Sequence, residues 1–574
     1  MKNAIASSFA AGFAALSLAA CSTLSMPMGS GTNETVAEAS TLAGTYLSAN
    51  FAAATGDNAR AATYFNGLLK QDPNNGDLLA RAFFYAAQAG QIEQAVPLTG
   101  RILMQDDTNR PAHLVQQADA LSRQDYTTAV ALSGDTNGGG GAGTIAALTD
   151  PIVNAWARAG LRDYEGALSS LDKLTQQRGI DGLRLLHRAL LLDYMGRTME
   201  AEAVYRETFN GNGGGPRAAD AYGRLLQRIG RSDDAKALYQ RILRDNPGHP
   251  VATAALRDIA ANKPALPLVA NPAQGVAEAL FSIAASLSDQ RNANVSILYL
   301  NLTLYLRPDF DIARVLLANR YETLNKYENA NTVYARIQAS SPYYSMTQLQ
   351  AGINDGRAGQ NAAGIKRLQD LIKSEPEQPD IWTALGDLQR GIAKHDDAVY
   401  SYDKAVAGLR ATDRRLVTLF FSRGISLSEL GRWDDAEKSF RQALRINPDR
   451  AEILNYLGFS LVERGKNMDE AVTMLEKARA LRPLDGPIAD SAGWAYYRLG
   501  RYQDAVRTLE EAVQLAPGAA DINDHLGDAY WRIGRKADAR FQWIHALALE
   551  PDPKQKPAIE RKLQFGLDAV AAER

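Results

Sequence analysis

Apolar residues along this chain come in paired bursts. Between 488 and 499 they recur at helical spacing, Gly500-Arg501 interrupts them, and they resume behind Asp504-Ala505 until Leu515, with Pro517 closing the pattern. The spacing predicts one helix over 488–499 and a second over 504–515. Glycine suits the left-handed end of the first. An acidic side chain suits the start of the second, and a proline cannot continue it. The same phrase occurs three times between 451 and 551. It reads Leu454-Asn455-Tyr456-Leu457-Gly458-Phe459, then Ser491-Ala492-Gly493-Trp494-Ala495-Tyr496-Tyr497, then His525-Leu526-Gly527-Asp528-Ala529-Tyr530-Trp531. Gly493 to Gly527 and Pro517 to Pro551 are both 34 residues, and Gly458 to Gly493 is 35, with one extra residue near Met468.

A constant period of this size predicts a stacked array of helical hairpins rather than one closed core. With the glycine of each phrase numbered 8, position 8 is small, 11 is Tyr, 20 is Ala, 24 is large, 27 is Ala and 32 is Pro. This pattern resembles the tetratricopeptide repeat (TPR) family. The resemblance implies an all-α TPR solenoid, a superhelix of helix-turn-helix repeats, here in two sub-arrays. Gly493 at position 8 is expected to face Ala505 at 20 and Ala512 at 27. A large residue at 8 or 20 should then cost about 1–3 kcal/mol by overpacking.

The phase can be followed through most of the chain. Ala61, Ala95, Ala129, Ala167, Ala201 and Ala235 all sit at position 20, so 42–249 is read as an N-terminal array of six repeats. Extra residues between the third and fourth fall in the Gly-rich stretch 133–143. Residues 250–276 break the phase and read as one unpaired helix followed by a proline-rich connector, from Lys263-Pro264 to Asn271-Pro272. Residues 277–551 are read as a C-terminal array of eight repeats, the first of them degenerate. In 552–574, Ile559, Leu563, Leu567 and Val570 form one apolar stripe, which predicts a capping helix.

Composition adds a compartment. The chain has 574 residues, 63 Lys+Arg against 65 Asp+Glu, and one cysteine. A balanced charge gives no recruitment of nucleic acid, and one cysteine excludes a disulfide framework. Residues 1–20 read as a signal peptide with an apolar run from 5 to 18. It ends Leu18-Ala19-Ala20-Cys21. This resembles the bacterial lipobox, which implies cleavage before Cys21 and acylation of that cysteine. Residues 21–41 are then a lipid-anchored tether. By resemblance to the sorting of such lipoproteins, Ser22 after the cysteine implies the outer membrane, where the periplasmic face is the expected side.

Chemistry is sparse. There is no His-Glu-x-x-His, Gly-x-Ser-x-Gly or phosphate-loop motif. The six histidines have no ligand spacing, although His525 and His545 fall on the two helices of one repeat. Ser170/Lys173 and Ser401/Lys404 match Ser-x-x-Lys without its partner motifs. Asp233-Asp234, Asp396-Asp397 and Asp434-Asp435 always precede the position-20 alanine, as acids of a helix first turn do. No enzyme, cofactor or metal is expected.

What remains is a groove. In the family, positions 2, 5, 9 and 12 of the first helix line the partner face. In the last three repeats these include Asn455, Phe459, Asp490, Trp494, Tyr497, Asp524, Asp528 and Trp531. Aromatic anchors beside acids suit a protein or peptide partner; a glycan stacked on the aromatics is the alternative. The whole resembles bacterial, alphaproteobacterial-type multi-TPR lipoproteins. That resemblance implies a non-catalytic, lipid-anchored periplasmic scaffold in cell-envelope assembly, or else a glycan-handling lipoprotein in polysaccharide export or cell-wall maintenance.

Overall fold

The structure, a computed structural model, describes residues 41–134, 145–176, 179–210, 215–287 and 289–568. Cys21, the signal segment and nearly all of the tether lie outside these residues, as do most of the Gly-rich loop and Val570. The described residues form thirty α-helices and two short 3-10 turns, with no strand among them. The all-α solenoid expected from the repeat is the observed architecture. None of the described helices is long and apolar enough to cross a membrane.

The chain divides into two compact units at Ala82/Phe83. In the first, Leu42–Thr55 and Asn58–Gln71 form a hairpin. In the second, the hairpins follow one another to Lys536–Ala548, and Lys556–Phe565 packs on the last of them.

The repeat alanines explain the close helix pairing. Ala95, Ala129, Ala167, Ala201 and Ala235 are fully buried, as are Ala436, Ala471, Ala505 and Ala539 in the C-terminal half. The partner of the position-8 glycine differs from expectation. A Cβ on Gly493 would lie 2.7 Å from Leu509 Cγ, and one on Gly458 would lie 2.9 Å from Leu475 Cγ. The large residue at position 24 lies nearest above the glycine, and at Gly458 the carbonyl of the position-20 alanine, Ala471, is also close, at 3.1 Å. Small residues set the helix separation, and the bulky one then occupies the only volume left at the crossing. The acidic pairs occupy the first turns of their helices, as read from the sequence.

One hairpin departs from the stack. Pro250–Ala260 packs on the helix before it. The next helix, Pro272–Ser286, begins inside the stretch read as connector. It pairs with Ala293–Leu306, and together they pack against helices far earlier in the chain: Arg110–Ser122, Ile145–Gly160 and Asp181–Tyr194. Residues 275–281 and 296–303 are buried without interruption, so the central turns of both helices are enclosed on every side.

Candidate partner groove

Three successive first helices build the candidate site: Ala451–Glu463, Gly486–Arg498 and Ala520–Arg532. Their common face carries a cleft of about 490 Å³, lined by Asn455, Phe459, Glu463, Asp490, Trp494 and His525 among others. Phe459 and Trp494 are half-buried, packing on the core beneath and lining the cleft. Asn455 Oδ1 is buried and has no hydrogen-bond partner among the described residues.

Trp494 is held from several directions. Its ring lies 4.7 Å from Tyr497 at 8° and 4.2 Å from His525 at 19°, and its Nε1 donates to Glu463 Oε1 at 2.7 Å. Glu463 also pairs with Arg498 at 3.1 Å. His525 Nδ1 lies 2.9 and 3.1 Å from the two carboxylate oxygens of Asp490. Burial disfavours the charged imidazole, but Asp490, with Asp524 and Asp528 behind it, outweighs burial and raises His525 to about 9. The ring is therefore an imidazolium at neutral pH, stacked on an indole face.

The eight groove residues expected from the sequence do not share one environment. Asn455, Phe459, Asp490 and Trp494 come together in the cleft. Tyr497 backs it by stacking on Trp494. Asp524, Asp528 and Trp531 are covered. Lys562 from the Lys556–Phe565 helix reaches across to Asp524 and Asp528, at 2.8 Å from each. Asp528 also accepts from Trp543 Nε1 at 3.1 Å, and Trp531 is 8% exposed, with its Nε1 donating to Asp568 at 2.9 Å. The reason is positional: the last repeat has no following repeat, so the capping segment closes its open face. Burial raises Asp528, while the two carboxylates overcome the burial cost at Lys562 and raise it.

Sequence reasoning weighed His525 only against His545 as a ligand pair and passed over Glu463; His525 and Glu463 fix the indole. The available signal was their register: each falls on the same face as the positions chosen, close to them along successive first helices. His525 does not approach His545, which instead meets Asn523 at 3.2 Å. No cluster of three metal-ligating side chains occurs among the described residues. Ser170 and Ser401 bond Asn154 and Gln389, at 2.8 and 2.7 Å, in the interior of the array.

Known proteins agree on the repeat. Tetratricopeptide repeat models match residues 217–249, 349–413, 421–485 and 491–556, so the chain carries tetratricopeptide repeats in these four stretches. A TPR repeat-containing protein of Pseudomonas aeruginosa is 31% identical over 137 residues, which is 24% of this chain and 23% of that protein. The human protein O-mannosyl-transferase TMTC1 is 28% identical over 166 residues, 28% of this chain and 18% of that protein. The chain thus spans less than a quarter of the length of either relative. Among solved structures, the APC/C Cut9–Hcn1 hetero-tetramer covers 92% of this chain and 97% of its own, at 15% identity and a TM-score of 0.36. YrrB, a TPR protein with an unusual peptide-binding site, covers 34% of this chain and 97% of its own, at 20% identity and a TM-score of 0.28. Tetratricopeptide repeats mark the chain as a protein–protein interaction scaffold.

Proposed function

We propose that this protein is a non-catalytic adaptor that holds a segment of a partner protein in the cleft between Asn455 and His525. The observation that carries the proposal is that Phe459 and Trp494 line one cleft together with Asn455, whose side-chain carbonyl has no partner among the described residues. Two aromatic surfaces anchor apolar side chains of a bound segment, and a buried acceptor without a donor favours a ligand that supplies an N–H. The clamp of Glu463, Asp490 and His525 fixes the indole before a partner arrives, which lowers the ordering cost of binding.

The lipobox-like Leu18-Ala19-Ala20-Cys21 supports a lipid-anchored location on the periplasmic face of the outer membrane. It gives the adaptor a role in envelope assembly. Radiolabelled fatty acid should enter the wild-type protein and not Cys21→Ser; equal labelling of both would remove the anchor. The groove itself is tested by affinity capture from cells with Phe459→Ala combined with Trp494→Ala. Loss of partners captured by the wild type supports the cleft, and an unchanged partner set sinks it.

A further inference from the structure

The helix face that carries the cleft in the C-terminal repeats has a counterpart in the N-terminal ones. There, Arg110–Ser122, Ile145–Gly160 and Asp181–Tyr194 are the first helices of their hairpins. That face is already filled, by the hairpin 272–306 of the same chain.

The fit is specific along its whole length. At one end, Gly275 lies so close to Trp156 that a Cβ there would overlap the indole, and Trp156 itself is fully buried. In the middle, the Tyr299 hydroxyl meets Thr149 Oγ1 at 3.2 Å. At the other end, Tyr305 donates to Asp119 at 3.1 Å and accepts from Ser122 at 3.2 Å. Asn301 donates to the carbonyls of Ala87 and Gln88, at 3.0 Å each, satisfying orphan acceptors at a helix C-terminus. Glu278, with no exposed surface, is clamped by Arg217 and Arg307.

The central turns of both helices are buried on all sides, so an unseated hairpin would expose apolar surface on itself and on the array together. Nothing in that pairing favours exchange with an outside ligand. We propose that hairpin 272–306 is the permanent occupant, in cis, of the N-terminal partner face. The chain then has two faces of the same kind, one closed by its own sequence and one left open at Phe459 and Trp494. This stands apart from the adaptor reading, because it concerns which face is closed and not what the open one binds.

The test places a photo-reactive phenylalanine analogue at Tyr305 in the full chain, in cells, with a parallel chain carrying it at Phe459. Tyr305 is partly exposed, so the replacement does not disturb the core. Illumination at 305 should give an intrachain product with the region 119–122, read by peptide mass spectrometry, and no intermolecular adduct. Intermolecular adducts at 305, or no product there, would overturn the proposal. Failure of position 459 to capture anything, with the intrachain product still formed at 305, would instead count against the adaptor reading alone. Hydrogen exchange supplies the second readout. Amides of 272–306 should be as protected as those of 145–160, and exchange within seconds would likewise overturn the proposal.

Discussion

His525 stacks on Trp494 with ring centres 4.2 Å apart while its Nδ1 is held 2.9 Å from an oxygen of Asp490. The indole at the centre of the cleft is thus fixed by a charged ring whose charge depends on a neighbouring repeat.

That dependence has a direction. The folded value of His525, about 9, lies above the unfolded value near 6.5. The stabilisation is therefore complete below about pH 6.5 and lost as pH rises through about 9, with a total of about 3 kcal/mol. The urea midpoint of the C-terminal repeats should fall between pH 6.5 and 9.5 in the wild type, by more than in His525→Gln. Equal falls in both would show that Asp490 does not hold the ring charged.

His187 should behave in the opposite sense. It is fully buried, Nδ1 accepts from Trp156 Nε1 at 3.1 Å, and burial lowers it to about 3. A histidine held neutral contributes stability that is complete above about pH 6.5 and lost as pH falls from there toward 3. Thermal melts between pH 7 and 4.5 should show a steeper acid loss in the wild type than in His187→Gln, which keeps an acceptor for the indole. Parallel acid losses in the two proteins would mean that His187 is not the group being forced to charge.

Lys562 closes the last repeat. Its side chain is 11% exposed and serves two carboxylates. Removing one partner of a buried ion pair leaves uncompensated charge, so Lys562→Met should cost about 3 kcal/mol or more. Adding Asp528→Asn should recover part of that loss. Hydrogen exchange across 520–548 reads both effects, and full protection in Lys562→Met would mean that the cap is dispensable.

The turns between paired helices offer a clean comparison. Gly500 has φ 75°, and a Cβ there would have nothing within 4 Å of it, so Gly500→Ala should cost about 1 kcal/mol from backbone strain alone. Ala393 occupies the equivalent turn at φ 59°. Ala393→Gly should gain up to about 1 kcal/mol, offset in part by the freer unfolded chain. Denaturation midpoints moving in opposite directions would match this; both falling would show that residue 393 is not strained.

Crowding at the glycines should be unequal. Gly493→Ala brings a Cβ 2.7 Å from Leu509 Cγ and 3.3 Å from the Leu509 backbone nitrogen, so an aliphatic side chain and the helix beneath it must give, at about 1–3 kcal/mol. Gly275→Ala meets the rigid, fully buried ring of Trp156 and should cost more. Calorimetry of the two variants gives the order, and Gly493→Ala being the worse would mean that the 272–306 hairpin is loosely seated.

Local repetition made the repeats legible from the sequence. The spacing of Ala95, Ala129, Ala167, Ala201 and Ala235 is a consequence of helix contacts within and between adjacent hairpins, so stacking preserves it as a period. The same locality placed Asn455, Phe459, Asp490 and Trp494 on one face, because their register along successive first helices is the register of the array. Tertiary structure alone decided which of those faces stays open. Asp524, Asp528 and Trp531 share the groove register but lie under Lys562 and Asp568, and the pairing of Tyr299 with Thr149 or Gly275 with Trp156 joins segments far apart in the chain with no repeat to announce it. Runs 275–281 and 296–303, apolar or small on most sides of a helix, state that something must cover them. Which surface does so is settled by shape and by a few matched polar groups, and those exist only once the chain has folded back on itself.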